Sequence, residues 1–386
     1  MQYNRKNRVY YNIKTDNMMM MNEALPIIIA FLLSVCFGFV FIPGILNFCK
    51  EKNIYDIPNQ RKVHKTLVPR LGGLAFVPAI TLSIIVAVGV MSVGFTEPKI
   101  QVSLWSMAFL ASLLLVYATG VVDDLIGLNA HVKFAVQVIT ACALPLCGLY
   151  VNNLYGFMGV HEVPYWLGFP LTVFIIVFID NAMNLIDGID GLAAGLSILA
   201  LLGFLFVFGN AQLIPYAVVV ASAIGILIPY MRFNIWGKAD QNRKIFMGDS
   251  GSLTLGFILG FLFVKSAMHN PPLMAASPER FVLAYSLLVV PVFDVVRVVL
   301  HRLRTRQPLF SADKNHIHHK LMRLGMTQHQ PLIFILGLAV AYVAMNLLLF
   351  PLVSITGIVL IDVATFTLFQ LLLTRKVERK ELKIAA

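Results

Sequence analysis

The sequence predicts an all-α protein: a polytopic transmembrane helix bundle of about ten or eleven spans, N-terminus outside and C-terminus cytoplasmic. Three observations predict it. The 386 residues are 59% hydrophobic and only 13% charged, whereas soluble domains run at about 45–50% apolar and about 25% charged. Apolar runs of about 20 residues, enough to cross a bilayer as a helix, recur along the chain. The loops between them alternate between basic and nearly uncharged. Helices follow because backbone polar groups in lipid must find partners within their own segment.

In chain order the runs fall near 24–46, 71–93, 103–122, 132–151, 165–182, 190–208, 212–230, 251–268, 281–300, 331–350 and 354–374. One set of loops is basic: Lys50 to Arg70, Arg232 to Lys244, Arg302 to Arg323 and the tail Arg375 to Lys383. The opposite loops hold only Lys99 and Arg280. Positive charge favours the cytoplasmic face, which sets the orientation. The net charge of +11 therefore answers to membrane lipid and phosphate rather than to nucleic acid. Residues 1–22 are an N-terminal extension that breaks this rule, since Arg5, Lys6, Arg8 and Lys14 fall outside. Translation starting within Met18–Met21 removes the conflict. Residues 23–376 form one transmembrane catalytic domain and 377–386 a cytoplasmic tail. Cys36, Cys49, Cys142 and Cys147 make no CxxC pair and read as packing residues.

Polar anomalies cluster at span ends on the predicted cytoplasmic side, where ionisable residues near a membrane point to function. Asp123-Asp124 ends the third span. Two adjacent carboxylates there oppose the helix dipole, so cation or phosphate chemistry explains them better than local stability. Either one takes a proton from a substrate or both pair with a cation such as Lys133. Asn181-Ala-Met-Asn184-Leu-Ile-Asp187-Gly-Ile-Asp190-Gly places neighbours three apart on one helix face, free to converge on one ligand. Asp190 has the alternative of capping the next helix. Phe246-Met-Gly-Asp249-Ser-Gly-Ser opens the eighth span, where Asp249 is either a cap or a metal ligand and the first amides can face a phosphate. Oxygen ligands of this kind suit Mg²⁺, with Mn²⁺ an alternative. After Asp294-Val-Val-Arg297 a basic loop holds Arg302, Arg304, Arg306, His316, His318 and His319. Three histidines in four positions are rare as packing residues and serve as phosphate donors or metal ligands. Asn59 to Lys65 leads to Pro69-Arg70-Leu-Gly72-Gly73, a basic stretch with a topological explanation as well.

Together Asp123-Asp124, the Asn181–Leu192 block, Gly248-Asp249-Ser250-Gly251-Ser252 and His316-Ile-His318-His319 resemble the polyprenyl-phosphate N-acetylhexosamine-1-phosphate transferase family over about residues 50 to 323. The His-Ile-His-His form, with Arg306, Pro308 and Phe310 before it, resembles the branch that moves GlcNAc-1-phosphate from UDP-GlcNAc to undecaprenyl phosphate. Gln307 replaces that branch's frequent serine. The resemblance implies a Mg²⁺-dependent enzyme of the bacterial inner membrane, often dimeric, with a cytoplasmic-facing cleft. It implies Asp249 and Asn184 as metal ligands. Asp123, Asp124, Asp187, Asp190, His318 and His319 become catalytic residues. Lys65, Asn181, Phe246, Arg302, Arg306 and His316 become substrate-binding residues, Phe246 by stacking on uracil. The expected products are UMP and a lipid-linked sugar that initiates a cell-surface glycan. Rival readings are phospho-MurNAc-pentapeptide transfer, whose enzymes carry three contiguous histidines, and a flippase, which would favour midplane sites within repeated halves. A CDP-alcohol phosphotransferase is excluded by the missing DGxxAR continuation after Asp187-Gly188.

Overall fold

The computed structural model describes residues 2–56, 67–94, 103–270, 274–308 and 315–385, with side chains from Ala24 onward. Twelve helices are found among them: α1 (Gln2–Lys52), α2 (Phe76–Gly94), α3 (Leu104–Ile126), α4 (Ala130–Leu146), α5 (Tyr165–Ile186), α6 (Leu192–Asn210), α7 (Ile214–Ile235), α8 (Gly248–Ala267), α9 (Pro278–Arg304), α10 (Ile317–Arg323), α11 (His329–Leu349) and α12 (Ile355–Ala385). Ten are long and apolar enough to cross a bilayer. Neither predicted flanking segment is set off by a break in secondary structure: α1 and α12 run unbroken into residues 2–22 and 377–385.

The run predicted at 132–151 folds differently. Asn129 caps α4 by accepting the His131 N–H at 2.9 Å, and the helix ends at Leu146, before Gly148 turns the chain with φ +88. Its 17 residues reach about 25 Å at 1.5 Å per residue, short of a hydrocarbon core of about 30 Å. Even so, α4 traverses the bundle. Lys133 near its start meets Asp249 at the start of α8, and the Pro145 carbonyl near its end accepts the Tyr165 hydroxyl at the start of α5. The sequence reading also missed an antiparallel hairpin, β1 (Asn153–Phe157) with β2 (Val160–Glu162), so the chain is helical apart from this loop.

Side-chain polarity sorts the helices radially. α8 is enclosed on every side, and each residue from Ser250 to Ala267 is buried. Its small residues admit neighbouring backbones: a Cβ on Gly256 would strike the Asp180 backbone of α5. Membrane helices pack by such close approach rather than by burying apolar area from water. The outer helices instead expose large apolar residues, among them Leu114, Leu115, Leu347, Leu348 and Leu371, as a lipid-facing surface requires.

Candidate active site

The polar anomalies converge at one end of the bundle, where α3, α5, α7 and α9 finish and α4, α6 and α8 begin. The centre is the start of α8. Gly248 there adopts φ +71, and a Cβ on it would collide with the Asp124 carboxylate. That close approach lets Asp124, fully buried on α3, accept the Asp249 and Ser250 N–H groups at 2.8 and 2.9 Å. Asp124 is thus a cap supplied by another helix, satisfying two amides that α8 leaves without partners. The preceding strand-like turn is clamped as well. Phe246 N–H donates to the Pro69 carbonyl, and the Gly72 and Gly73 amides donate to the carbonyls of Phe246 and Met247, at 2.8 to 2.9 Å.

Asp123 takes different partners from its neighbour. One oxygen accepts the Leu128 N–H at 2.7 Å, and the other lies 3.3 Å from the Lys133 ammonium, which also sits 2.6 Å from Asp249. Of the pairing of both aspartates with Lys133 that the sequence left as one of two options, the structure shows the Asp123 half, with Asp249 rather than Asp124 as the second partner. Carboxylate oxygens of Asp123, Asp124 and Asp249 all lie within 4.8 Å of one another. The set fits a hard divalent cation: its ligands are oxygens, and a positive charge already lies between two of them. Asn184 donates its amide to Ser252 Oγ at 2.8 Å, which leaves its carbonyl oxygen directed elsewhere.

Asp187 ends α5 and lines the same cleft. Burial, then the charges of Asp249, Asp190 and Asp124, push its carboxyl up to about 8. Asp190 does not cap α6. Gly191 holds that position in a left-handed conformation, φ +77, and donates its N–H to Asn234 Oδ1 at 2.6 Å. Asp190 instead pairs with Lys244 at 2.6 Å. Sequence reasoning missed both partners: Asn234 lies at the end of an apolar run, and Lys244 was absorbed into a basic loop explained by topology. Asn181, expected to bind substrate, gives its amide to Gln137 Oε1 at 2.9 Å and to the Val177 carbonyl.

The histidines divide by environment. His316 is held by buried Asp294, Nδ1 to Oδ2 at 2.8 Å, and Asp294 also pairs with Arg297 at 3.0 Å. His319 lines the cleft. His318 is fully buried against Gly188, and neither ring nitrogen has a hydrogen-bond partner among the described residues. Burial, then the neighbouring His319 and His316, hold it well below the usual histidine range, so the ring is neutral at neutral pH. Arg302 is buried and lines an apolar groove, while Arg306 terminates α9 as an exposed residue with φ +54 and lines none of the cavities described. Arg304, two positions from Arg302, points to the opposite side of α9. Lys65 lies outside the described residues.

Two cavities meet here. A polar cleft of about 390 Å³ is lined by Asp124, Asp187, Asp190, Phe246, His319 and Arg70, among others. A largely apolar groove of about 460 Å³ runs between α4, α5 and α9, with Phe134, Phe174, Phe178 and Val299 on its walls and Lys133 and Arg302 at its polar end. Asn184 and Asp249 belong to both.

A multi-pass membrane protein with an acidic, metal-competent cleft opening onto an apolar groove is the class defined by this fold and site. The model of the glycosyl transferase family 4 matches residues 105–267. A Bacillus subtilis protein named a probable undecaprenyl-phosphate N-acetylglucosaminyl 1-phosphate transferase is 33% identical over 322 residues, 80% of this chain and 81% of its own length. A Mycobacterium tuberculosis decaprenyl-phosphate N-acetylglucosaminephosphotransferase is 31% identical over 74% of this chain and 73% of its own. A Yersinia pestis undecaprenyl-phosphate alpha-N-acetylglucosaminyl 1-phosphate transferase is 29% identical over 76% and 75%. The chain belongs to this glycosyl transferase family.

Proposed function

We propose that the protein transfers GlcNAc-1-phosphate from UDP-GlcNAc to undecaprenyl phosphate, releasing UMP, with the cleft at the cytoplasmic face of a bacterial inner membrane. The observation that carries this reading is the meeting of a polar cleft and an apolar groove at Asn184 and Asp249. A nucleotide sugar needs the first and a polyprenyl chain needs the second. The reacting phosphates can meet only where both open.

An oxygen of the lipid monophosphate attacks the sugar-bearing phosphorus, and the bond to the UMP oxygen breaks. Phosphomonoesters have a second pKa of about 6, so this nucleophile is already mostly ionised and needs little base catalysis. The barrier is the approach of two anions, and positioning with charge neutralisation is what lowers it. Asp249, Asp123 and the Asn184 carbonyl would hold Mg²⁺, which would supply charge neutralisation on the diphosphate. Lys133, which lines the groove beside Asp249, would offer its ammonium to the acceptor phosphate. Arg302 adds a second positive charge there, and Phe246 offers a ring face to the base. Asp124 is a positioning residue, since both its oxygens hold the start of α8. His318 stays neutral and braces Gly188, while His319 donates toward the diphosphate from the cleft wall.

The test is detergent-purified protein with undecaprenyl phosphate, Mg²⁺ and a panel of UDP-sugars, read by UMP release and lipid-product mass. UMP formed only with UDP-GlcNAc and abolished in Asp249→Ala is expected. Substrate movement across vesicles with no UMP released would refute the reading. Labelling of engineered cysteines beside Asp249 and His319 from the cytoplasmic side tests the orientation.

A further inference from the structure

The segment that leads into α2 reaches the polar cleft at Arg70. Two backbone bonds hold this segment against the turn before α8: Phe246 N–H donates to the Pro69 carbonyl, and Gly72 N–H donates to the Phe246 carbonyl. Arg70 stands between them in sequence, and its own carbonyl occupies the space that a Cβ on Gly248 would need. Its side chain is anchored as well, since Nε donates to the Asp124 main-chain carbonyl at 2.8 Å. Backbone and side chain are therefore both fixed to the elements that build the cleft.

A guanidinium carries five N–H donors, and the Asp124 carbonyl takes one. The Nη groups have no acceptor among the described residues, and they are not buried. Neighbouring cations are spent on carboxylates: Lys133 on Asp123 and Asp249, Lys244 on Asp190, Arg297 on Asp294. Arg70 makes no ion pair among the described residues, although Asp124, Asp187, Asp190 and Asp249 line the same cleft. Among the described residues it is the only arginine or lysine that lines it. A charge that answers to topology alone needs only to stand at the cytoplasmic edge. It needs no main-chain bond that holds its remaining donors at an acidic cleft. An accessible guanidinium without a counter-charge calls for an anion, and its planar fork matches two oxygens of one phosphate.

We propose that Arg70 binds the phosphate of the leaving UMP, an assignment that rests on the transfer reaction proposed for this cleft. With the base against Phe246, the phosphate next to the nucleoside falls beside Arg70, whose segment is bonded to Phe246 on both sides. When the bond from the sugar-bearing phosphorus to the bridging oxygen breaks, its electron pair stays on that oxygen. The nucleoside phosphate then passes from one negative charge towards two. A cation held there gains attraction as the bond breaks, which is the condition for lowering the barrier rather than merely binding substrate. Positive charge is thus divided between the two phosphates: Lys133 and Arg302 line the groove of the acceptor, and Arg70 lines the cleft of the leaving group.

The test is inhibition of the full-length, detergent-purified protein by UMP and by uridine, in wild type, Arg70→Gln and Arg70→Lys. Glutamine keeps a donor for the Asp124 carbonyl and loses the charge, whereas lysine keeps the charge. Arg70→Gln should raise the inhibition constant of UMP about tenfold to a hundredfold, the range of a charge-assisted hydrogen bond, and lower kcat by a similar factor. The constant for uridine, which lacks the phosphate, should stay within about twofold, and lysine should recover part of the UMP loss. Should neither variant fold, phenylglyoxal modification of Arg70 in the wild-type protein, mapped by peptide mass, gives the same reading: UMP should slow it and uridine should not. An unchanged UMP constant, equal shifts for UMP and uridine, or modification that UMP leaves unslowed overturns the assignment. Wild-type protein that releases no UMP from any UDP-sugar ends the transfer reaction itself and the leaving-group role with it. That outcome is distinct from an active enzyme indifferent to Arg70.

Discussion

The two ends of α8 meet positive charge in opposite ways. At the far end Lys265, 1% exposed, lies 4.8 Å from the Trp105 ring centre and 5.1 Å from that of Tyr216, with no ion pair among the described residues. The ring faces hold the ammonium in place but offer no counter-charge that another cation could take over. At the near end Lys133 is shared by Asp123 and Asp249 and keeps 23% of its side chain exposed. Opposite charges in contact with water can be exchanged for another cation. One helix thus joins a ring-walled ammonium to an exchangeable ion pair, and only the second is suited to chemistry on anions.

The sharpest break in that comparison comes from Asp249→Ala, which should lower UMP release by about 10²–10³-fold, the scale for removing a preorganised electrostatic contact. Lys265→Met should leave turnover within about twofold and shift stability by no more than about 2 kcal/mol, the range of a desolvated cation–π contact. If Lys265→Met stopped turnover at an unchanged melting temperature, the two ends would not differ as described. Next in size is the pair at the end of α3. Asp124→Asn keeps one acceptor oxygen for two amides, so it should lose about 1.5–3 kcal/mol of stability together with activity. Asp123→Asn should lose activity about 100-fold with little change in melting temperature, because its partners are a cation and one loop amide. Equal melting shifts in the two variants would contradict the separation of roles.

Metal dependence should carry a pH signature. An acid raised to about 8 in the fold, against about 3.9 in the unfolded chain, binds more protons folded than unfolded between those values. Stability without a divalent cation therefore falls as pH rises from about 4 to about 8. A cation favours the ionised carboxylates and reverses that loss. Mg²⁺ should raise the melting temperature more at pH 8.5 than at pH 6, with EDTA removing the increment. An increment independent of pH would place the cation away from Asp187.

Most of the fold and of the site's composition was legible in the sequence, because both rest on local signals. Span length is written in apolar runs, and the anomaly of Asp123-Asp124 or three near-consecutive histidines is visible without coordinates. What escaped depends on contacts between distant segments. That Asp124 caps α8 is a relation across 125 residues, and nothing within Val121–Leu128 distinguishes it from Asp123. Capping of α6 stood as an alternative role for Asp190 because Asp often caps helices. Gly191 took that place, since Asn234 across the bundle supplies the oxygen and Lys244 takes the carboxylate. Arg302 and Arg304 look equivalent in a basic loop, but α9 continues through both and turns them to opposite sides.

The smallest expected effects separate the two glycines beside the cleft. Gly191→Ala forces a side chain into φ +77, which for an L-residue carries about 1–2 kcal/mol, and its Cβ would also press on Ile235. Neither Ile235 nor Leu332, the second neighbour of that Cβ, lines the polar cleft, so the melting temperature should fall by a few degrees while turnover stays within about twofold. Gly188 has no such backbone constraint, but a Cβ there would overlap the His318 ring. Ala at this position should displace α10, and with it His319, lowering turnover about tenfold for a similar melting shift. Because the two substitutions add the same methyl group three residues apart, their stability effects nearly cancel in the comparison. The ratio of turnovers then isolates what the His318 contact does for the cleft wall. A ratio near one would mean that the histidine helix is held by something other than its packing on Gly188.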